Sequence, residues 1–118
     1  MTSHDCATRE QRTYERLGTD KPQCACCGEA DWRCLEAHHL AGRRRDPSTV
    51  VVCANCHRKL SDIQKDHPAL DDKADRLLET VGHFLLGLAD LCRLLVEKLT
   101  AFGLGLIERS AAAAAGGA

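Results

Sequence analysis

The sequence predicts an α+β protein in which a compact ββα unit lies between a short N-terminal helix and a long C-terminal helix. Three observations lead to this fold class: two C-x-x-C pairs enclose two short β-like runs, a helical segment follows the second pair, and apolar residues recur at heptad spacing near the C-terminus. A chain of 118 residues suits one domain with appended elements. The expected boundaries are 1–19 for an N-terminal helical segment, 20–68 for the compact unit, 69–108 for an apolar helix and 109–118 for a low-complexity tail.

The charge of the chain is nearly balanced but unevenly distributed. The formal net charge of −1 gives no overall attraction to nucleic acid or to anionic membranes. Residues 24–65 nevertheless carry seven Lys or Arg against five acids, whereas residues 66–118 carry five against eight. The N-terminal stretch MTSHDCATREQ has no apolar segment, so we expect no export signal and a cytoplasmic protein.

Local signals place the elements of the compact unit and of the helix before it. The run TREQRTYERL, residues 8–17, predicts a short exposed helix capped by Gly18. RCLEAHHL and STVVVC predict two strands, which the turn GRRRDP joins. NCHRKLSDIQK, residues 55–65, predicts a helix that ends before Pro68, because a residue that precedes proline avoids the helical region.

The C-terminal segment has an apolar pattern of helical period. Two rows are one heptad apart, Ala74, Val81, Leu88, Leu95 and Phe102 in one and Leu78, Leu85, Cys92, Leu99 and Leu106 in the other. They predict a helix of roughly nine turns. Its glycines each cost about 1 kcal/mol relative to alanine, so a break is expected near Gly103. We expect the tail SAAAAAGGA to be frayed.

The cysteine spacing predicts a zinc site. Cys24 and Cys27 form one C-x-x-C pair, Cys53 and Cys56 form the other, and two such pairs complete a tetrahedral four-thiolate site. Cys26 competes with Cys24 but lacks the spacing to Cys27. Without an export signal, metal ligands are favoured over disulfides, and buried free thiols are the alternative. The three other cysteines, Cys6, Cys34 and Cys92, are expected to be ordinary small apolar residues.

Three histidines are expected near this site. His38 and His39 end the first predicted strand, and His57 lies in the first turn of the helix after Cys56. Neighbouring residues on a regular strand point to opposite faces, so His38 and His39 serve one site only if the strand ends or bulges there. Surface histidines without a function are the alternative.

HHLAG, STVVVCANCHRKL and CACCGE together resemble the HNH endonucleases, whose site is a ββα-metal (His-Me finger) fold. The resemblance covers residues 20–68 and is to the subgroup with a zinc site of two C-x-x-C pairs. It implies hydrolysis of DNA phosphodiester bonds, with His39 as the general base that deprotonates the attacking water. It also implies one catalytic divalent ion, such as Mg²⁺ or Mn²⁺, held by His38 and His57. The zinc of the four cysteines would be structural.

The chain departs from the family pattern at two positions. The middle Asn, which anchors the loop and orients the base, is absent from RRRDPSTVVVC, and Ser48, Asp46 or Asn55 could substitute for it. Ser61 stands where some members have a second histidine one turn after His57.

Five cations flank the expected site and suit contacts with DNA phosphates: Arg43, Arg44, Arg45, Arg58 and Lys59. Trp32 is the one aromatic residue of the unit, so double-stranded DNA is favoured over a single strand. A zinc-ribbon module that binds nucleic acid without catalysis is the main alternative. A protein whose functional part is the long helix is another.

The long helix has three expected fates: self-association, packing on the N-terminal helix, or binding at a membrane surface. A transmembrane span is not expected because Asp90, Arg93, Glu97 and Lys98 interrupt the apolar run. Surface binding is disfavoured by the acidic balance of the segment. We expect residues 70–106 to form a homodimer helix pair that places two nuclease units on one duplex.

Overall fold

The computed structural model describes residues 5–116, so the first four residues of the N-terminal segment and the last two of the tail lie outside it. The elements in chain order are α1 (Cys6–Leu17), a 3-10 turn (Trp32–Cys34), β1 (Leu35–His39), β2 (Thr49–Cys53), α2 (Ala54–Gln64) and α3 (Arg76–Gly116). The predicted α+β class and the order helix, two strands, helix, long helix are confirmed.

Helix α1 begins and ends at local capping signals. The side chain of Asp5 accepts a hydrogen bond from the backbone N–H of Thr8 at 2.8 Å, so the helix begins two residues before the predicted start. Gly18 has φ 77° and donates its N–H to the carbonyl oxygen of Tyr14, which is the C-terminal cap that the sequence predicted.

The two strands form an antiparallel hairpin, and α2 begins directly after the second strand without a loop. Leu35 pairs with Cys53 and His39 pairs with Thr49. Cys53 ends β2 and is also the N-cap of α2, because its Sγ accepts from the N–H of Cys56 at 3.5 Å. This double role fixes the angle between the hairpin and α2, and it brings the second C-x-x-C pair to the junction.

The core is small and depends on the cysteines. Leu35, Val52 and Leu60 are the largest fully buried side chains, from β1, β2 and α2 respectively. Leu94 of α3 joins them, together with Cys24, Cys26, Cys53 and Cys56. With so few large apolar residues, we expect a metal site to supply part of the folding free energy.

Helix α3 differs from the prediction at both ends. It begins at Arg76 because Asp75 accepts from the N–H of Leu78 at 2.9 Å and caps the helix, so Ala74 lies before it. The predicted break near Gly103 is wrong, because the helix runs unbroken to Gly116. The prediction of a frayed tail is also wrong for the tail residues that the structure describes. Alanine has the highest helix propensity, and the five-alanine run extends the helix at little cost.

One face of α3 packs against the compact unit. A Cβ atom built on Gly87 would lie 1.8 Å from the carbonyl oxygen of Leu40, so the two backbones touch at this point. Two turns later Leu94 is buried in the core. Between them, Oδ2 of Asp90 pairs with Nε2 of His67 at 2.6 Å, with both side chains nearly buried. These contacts join the N-terminal half of α3 to the hairpin and α2.

Among the helices of residues 5–116, none combines the length and the apolar character that a membrane crossing requires.

Candidate metal centre and histidine pair

Four cysteines converge at the junction of the hairpin and α2. The Sγ atoms of Cys24, Cys27, Cys53 and Cys56 all lie within 4.8 Å of one another. The Sγ atoms of Cys27 and Cys53 are 3.7 Å apart. A tetrahedral zinc with Zn–S bonds of about 2.3 Å requires sulfurs about 3.8 Å apart, whereas a disulfide bond is about 2.05 Å long. The donor set therefore fits a structural metal such as zinc, as the spacing predicted.

Backbone hydrogen bonds position the first cysteine pair. Gly28 has φ 80° and donates to the carbonyl oxygen of Cys24 at 3.0 Å, which closes the turn around Cys27. The N–H of Ala25 donates to the carbonyl oxygen of Val51 at 2.9 Å and so fastens this turn to β2. This bond to β2 holds the first cysteine pair close to the second pair, which lies where β2 ends.

The environments of the thiols separate Cys24 from Cys26. Burial raises the pKa of Cys24, but backbone N–H groups of Cys53, Cys27 and Cys26 outweigh burial and lower it to about 7. Burial, followed by the neighbouring charge of Cys24, raises the pKa of Cys26 to about 11. The lower pKa of Cys24 favours its thiolate form and agrees with its spacing, but pKa alone does not select the ligands, because burial also raises the pKa of Cys27 and Cys56.

Cys6, Cys34 and Cys92, which were expected to be ordinary small apolar residues, are exposed. Cys34 lies with Glu29 and Asp31 in a second set of three donor groups that was not predicted from the sequence. Asp31 in this set already forms an ion pair with Arg33 at 2.9 Å.

The structure brings His38 and His57 together. Their ring centroids are 5.2 Å apart, with the rings edge to face. His38 is only 2% exposed, and burial, followed by the nearby His57 and His39, lowers its pKa to about 4, against the opposing effect of Asp90. His38 is therefore a neutral imidazole near pH 7, which is the form that binds a metal ion.

Glu36, which was not predicted from the sequence, orients His57. Oε1 of Glu36 lies 2.9 Å from Nδ1 of His57. With Nδ1 held by a carboxylate, Nε2 is the nitrogen left to bind a ligand, and carboxylate–histidine pairs of this kind occur around metal sites. The alternation of β1 places Glu36 on the same face as His38, two residues later, but no local pattern in the sequence relates Glu36 to His57.

His39 is the last residue of β1, and its side chain is partly exposed. The hydrogen bonds at this position run through its backbone: the carbonyl oxygen accepts from Nε2 of Gln64 at 2.9 Å and from the N–H of Gly42 at 3.2 Å. The alternation of the strand places His39 opposite His38, so the two side chains share one site only around the end of the strand.

The three substitutes considered for the middle Asn have different surroundings. Oδ1 of Asp46 accepts from the N–H of Ser48 at 2.9 Å, and the carbonyl oxygen of Ser48 accepts from the N–H of Leu40 at 3.4 Å. Both residues thus hold the loop closed, whereas Asn55 is exposed on α2. Gln64 makes the direct contact with the carbonyl of His39, and it also lies 3.4 Å from the carbonyl oxygen of Leu40.

The five predicted phosphate contacts divide into two groups. Arg45 forms an ion pair with Glu79 of α3, with side chains 8% and 11% exposed, so its charge is largely occupied within the chain. The other four are exposed on the loop after β1 and on the first turns of α2: Arg43, Arg44, Arg58 and Lys59.

Comparison of the chain with protein-family models, with curated proteins and with solved structures gave no match.

Proposed function

We propose that this chain is a metal-dependent endonuclease of the HNH type, which hydrolyses phosphodiester bonds of DNA. The observation that carries the proposal is the His38–His57 pair, with ring centroids 5.2 Å apart beside His39, on a ββα unit whose four cysteines converge. A zinc-ribbon binding module would need the cysteines but would give these histidines no function. The resemblance of HHLAG and STVVVCANCHRKL to this family supports the same conclusion.

His38 and His57 would hold the catalytic ion. Both offer an imidazole nitrogen, and the Glu36 carboxylate fixes the orientation of His57. A divalent ion bound there stabilises negative charge on the phosphate and on the leaving oxygen. Imidazole ligands suit Zn²⁺, Fe²⁺ or Ni²⁺ better than Mg²⁺ or Mn²⁺, so an ion of the first group is to be tested beside the two that the resemblance implies.

His39 would act as the general base. Its imidazole would accept a proton from the water that attacks the phosphorus atom, which is the role in which proteins use histidine most often in acid–base catalysis. Gln64 would be a positioning residue, because it holds the backbone carbonyl of His39 from the end of α2. It thereby takes the role that the resemblance assigns to the missing Asn.

The exposed cations would bind the DNA backbone. Arg43 and Arg44 lie on the loop directly after His39, and Arg58 and Lys59 directly follow His57. Contacts of this kind with phosphates give affinity without sequence information. The proposed substrate is therefore duplex DNA that is bound mainly through its backbone.

A nicking assay tests the proposal. Supercoiled plasmid is incubated with the zinc-loaded full chain and with Ni²⁺, Mn²⁺, Mg²⁺ or EDTA, and His39→Ala is compared with the parent. Gln11→Ala is the control, since Gln11 is exposed on α1 and is not among the residues proposed to bind metal or DNA. We expect metal-dependent nicking by the parent and by the control, and its loss in His39→Ala with zinc content unchanged.

Two results would reject the proposal. One is full activity of the His39→Ala variant. The other is binding of DNA by the parent with no cleavage in any divalent metal, which would instead support the zinc-ribbon binding module.

A further inference from the structure

Helix α3 has a second face that packing on the compact unit does not use. Nine residues along it follow alternating steps of three and four, and we call them the heptad seam: Leu78, Val81, Leu85, Leu88, Cys92, Leu95, Leu99, Phe102 and Leu106. All nine are exposed. At 100° per residue, the seam lies roughly 120° around the helix from the buried residues Gly87 and Leu94. The two faces are therefore distinct, although Leu95, Leu99 and Phe102 of the seam come close to residues 23–28 of the compact unit.

The seam is apolar along its whole length. The charged residues of α3 all fall outside its nine positions: Arg76, Glu79, Asp90, Arg93, Glu97, Lys98, Glu108 and Arg109. From Leu78 to Leu106 the helix rises roughly 42 Å, and a strip about 10 Å wide along it covers on the order of 400 Å². A strip of this size equals the largest apolar patch of an ordinary monomer, and such patches are often functional.

The period of the seam indicates what covers it. A straight α-helix drifts by about 20° per heptad from a strict seven-residue repeat, and two helices that supercoil around each other remove the drift. Four successive heptads with apolar residues at both core positions are the pattern of a coiled coil. The matching surface is another helix with the same repeat, and a second copy of this chain carries one.

Small residues beside the seam leave room for that second helix. Gly82, Ala89 and Gly103 follow seam residues, and a Cβ atom built on Gly82 or Gly103 would meet nothing within 4 Å. Near its C-terminal end the seam borders a cavity of about 540 Å³ between residues 23–28 and the side chains of Leu95, Leu99 and Phe102. Apolar side chains of a partner helix can enter this cavity.

We propose that two copies of this chain pair through the heptad seams of their α3 helices. Pairing leaves Gly87, Asp90 and Leu94 in their contacts with the compact unit, so each unit stays docked on its own helix. The inference does not depend on the proposed nuclease activity. Its consequence is a particle with two zinc-bound units on one helix pair.

Sedimentation equilibrium of the full chain, between about 1 and 100 µM, tests the pairing. Leu99→Glu places a charge in the seam, and Leu104→Glu makes the same change outside it; both leucines are 62% exposed. We expect the parent and Leu104→Glu to be dimers. Leu99→Glu should raise the dissociation constant about 100-fold or more, since each dimer loses two buried leucines. Equal helix content by circular dichroism shows that both variants fold.

Two results would overturn the pairing. One is equal dissociation of Leu99→Glu and Leu104→Glu. The other is a monomeric parent over the whole range, and co-sedimentation of that monomer with phosphatidylcholine–phosphatidylglycerol vesicles would assign the seam to a lipid surface.

Discussion

Nε2 of Gln64, at the end of α2, donates to the carbonyl oxygen of His39, at the end of β1, over 2.9 Å. The same nitrogen lies 3.4 Å from Nε2 of His38. One side-chain amide thus joins the end of the helix that carries His57 to both histidines of the strand. In the proposed nuclease, this contact fixes where the base stands relative to the metal ligands.

Replacing Gln64 by Glu should slow cleavage without unfolding the chain. Glutamate keeps the shape of the side chain but cannot donate to the carbonyl of His39, so the loop loses its anchor. We expect kcat to fall about 10- to 100-fold, the range seen when residues that support metal ligands are lost. KM should change little, because Gln64 is not one of the residues proposed to bind the DNA backbone. Kinetics on a labelled duplex would measure both constants.

Gln11→Glu is the control for Gln64→Glu, since Gln11 of α1 is exposed and lies away from the site. A Gln64→Glu variant with the kcat of the parent would remove Gln64 from the mechanism. An equal loss in Gln11→Glu would attribute the effect to the added charge.

The two proposed metal sites should respond differently to loss of a ligand. Cys53→Ser should unfold the compact unit, because Cys53 is a cluster residue and also the N-cap of α2. His57→Ala should stay folded and lose cleavage, since its side chain is only partly buried and serves the second site. Circular dichroism and bound zinc per chain give the first readout, and nicking gives the second.

Cys6→Ser provides the control for the cysteine change, because Cys6 is exposed at the start of α1. Unfolding of His57→Ala together with an active, folded Cys53→Ser would show that the two sites are assigned the wrong way round. His38→Asn is preferable to His38→Ala as a further variant, because His38 is buried and its truncation leaves a cavity.

Acid should destabilise the folded chain through His38. Burial lowers its pKa from 6.5 to about 4, so between these values the unfolded state binds a proton that the folded state does not. The contribution of His38 to stability is therefore complete above pH 6.5 and is lost as the pH falls towards 4. Urea unfolding of the zinc-loaded chain at pH 7.5 and 5.0 measures the loss.

The thiolates also become protonated in acid, so the pH effect must be compared with a chain that lacks His38. We expect the loss of stability between pH 7.5 and 5.0 to be smaller in His38→Asn than in the parent. Equal losses in the two chains would show that another group titrates.

Two glycine substitutions on the same face of α3 should have opposite effects. Gly87→Ala would bring a Cβ atom to 1.8 Å from the carbonyl oxygen of Leu40, so the helix must shift and the free energy of unfolding should fall by about 1–3 kcal/mol. Gly105→Ala meets nothing within 4 Å and should raise that free energy by up to about 1 kcal/mol. Urea unfolding of both variants provides the measurement. A stabilised Gly87→Ala would mean that α3 does not pack closely on Leu40.

Local patterns in the sequence determined the elements and the cysteine cluster. Each of the patterns used spans only a few residues. The two-residue gap between Cys24 and Cys27 predicted metal ligands, the β-branched run around Val52 predicted a strand, and Gly18 predicted the end of a helix. The start of α3 could also have been predicted from its neighbours, because Asp75 is a capping residue. The heptad pattern instead indicated an earlier start.

Only the tertiary structure decided which distant side chains meet. Glu36 with His57, Gln64 with His39, and Arg45 with Glu79 are pairs that lie more than twenty residues apart in the chain, and no local period relates their positions. The docking of α3 was likewise invisible in the sequence. The apolar pattern is broad enough for several faces of the helix to pack against the compact unit. The face that does so is the one on which the backbone of Gly87 contacts that of Leu40. The heptad seam remained exposed because a helix of this small unit can bury only one face against it.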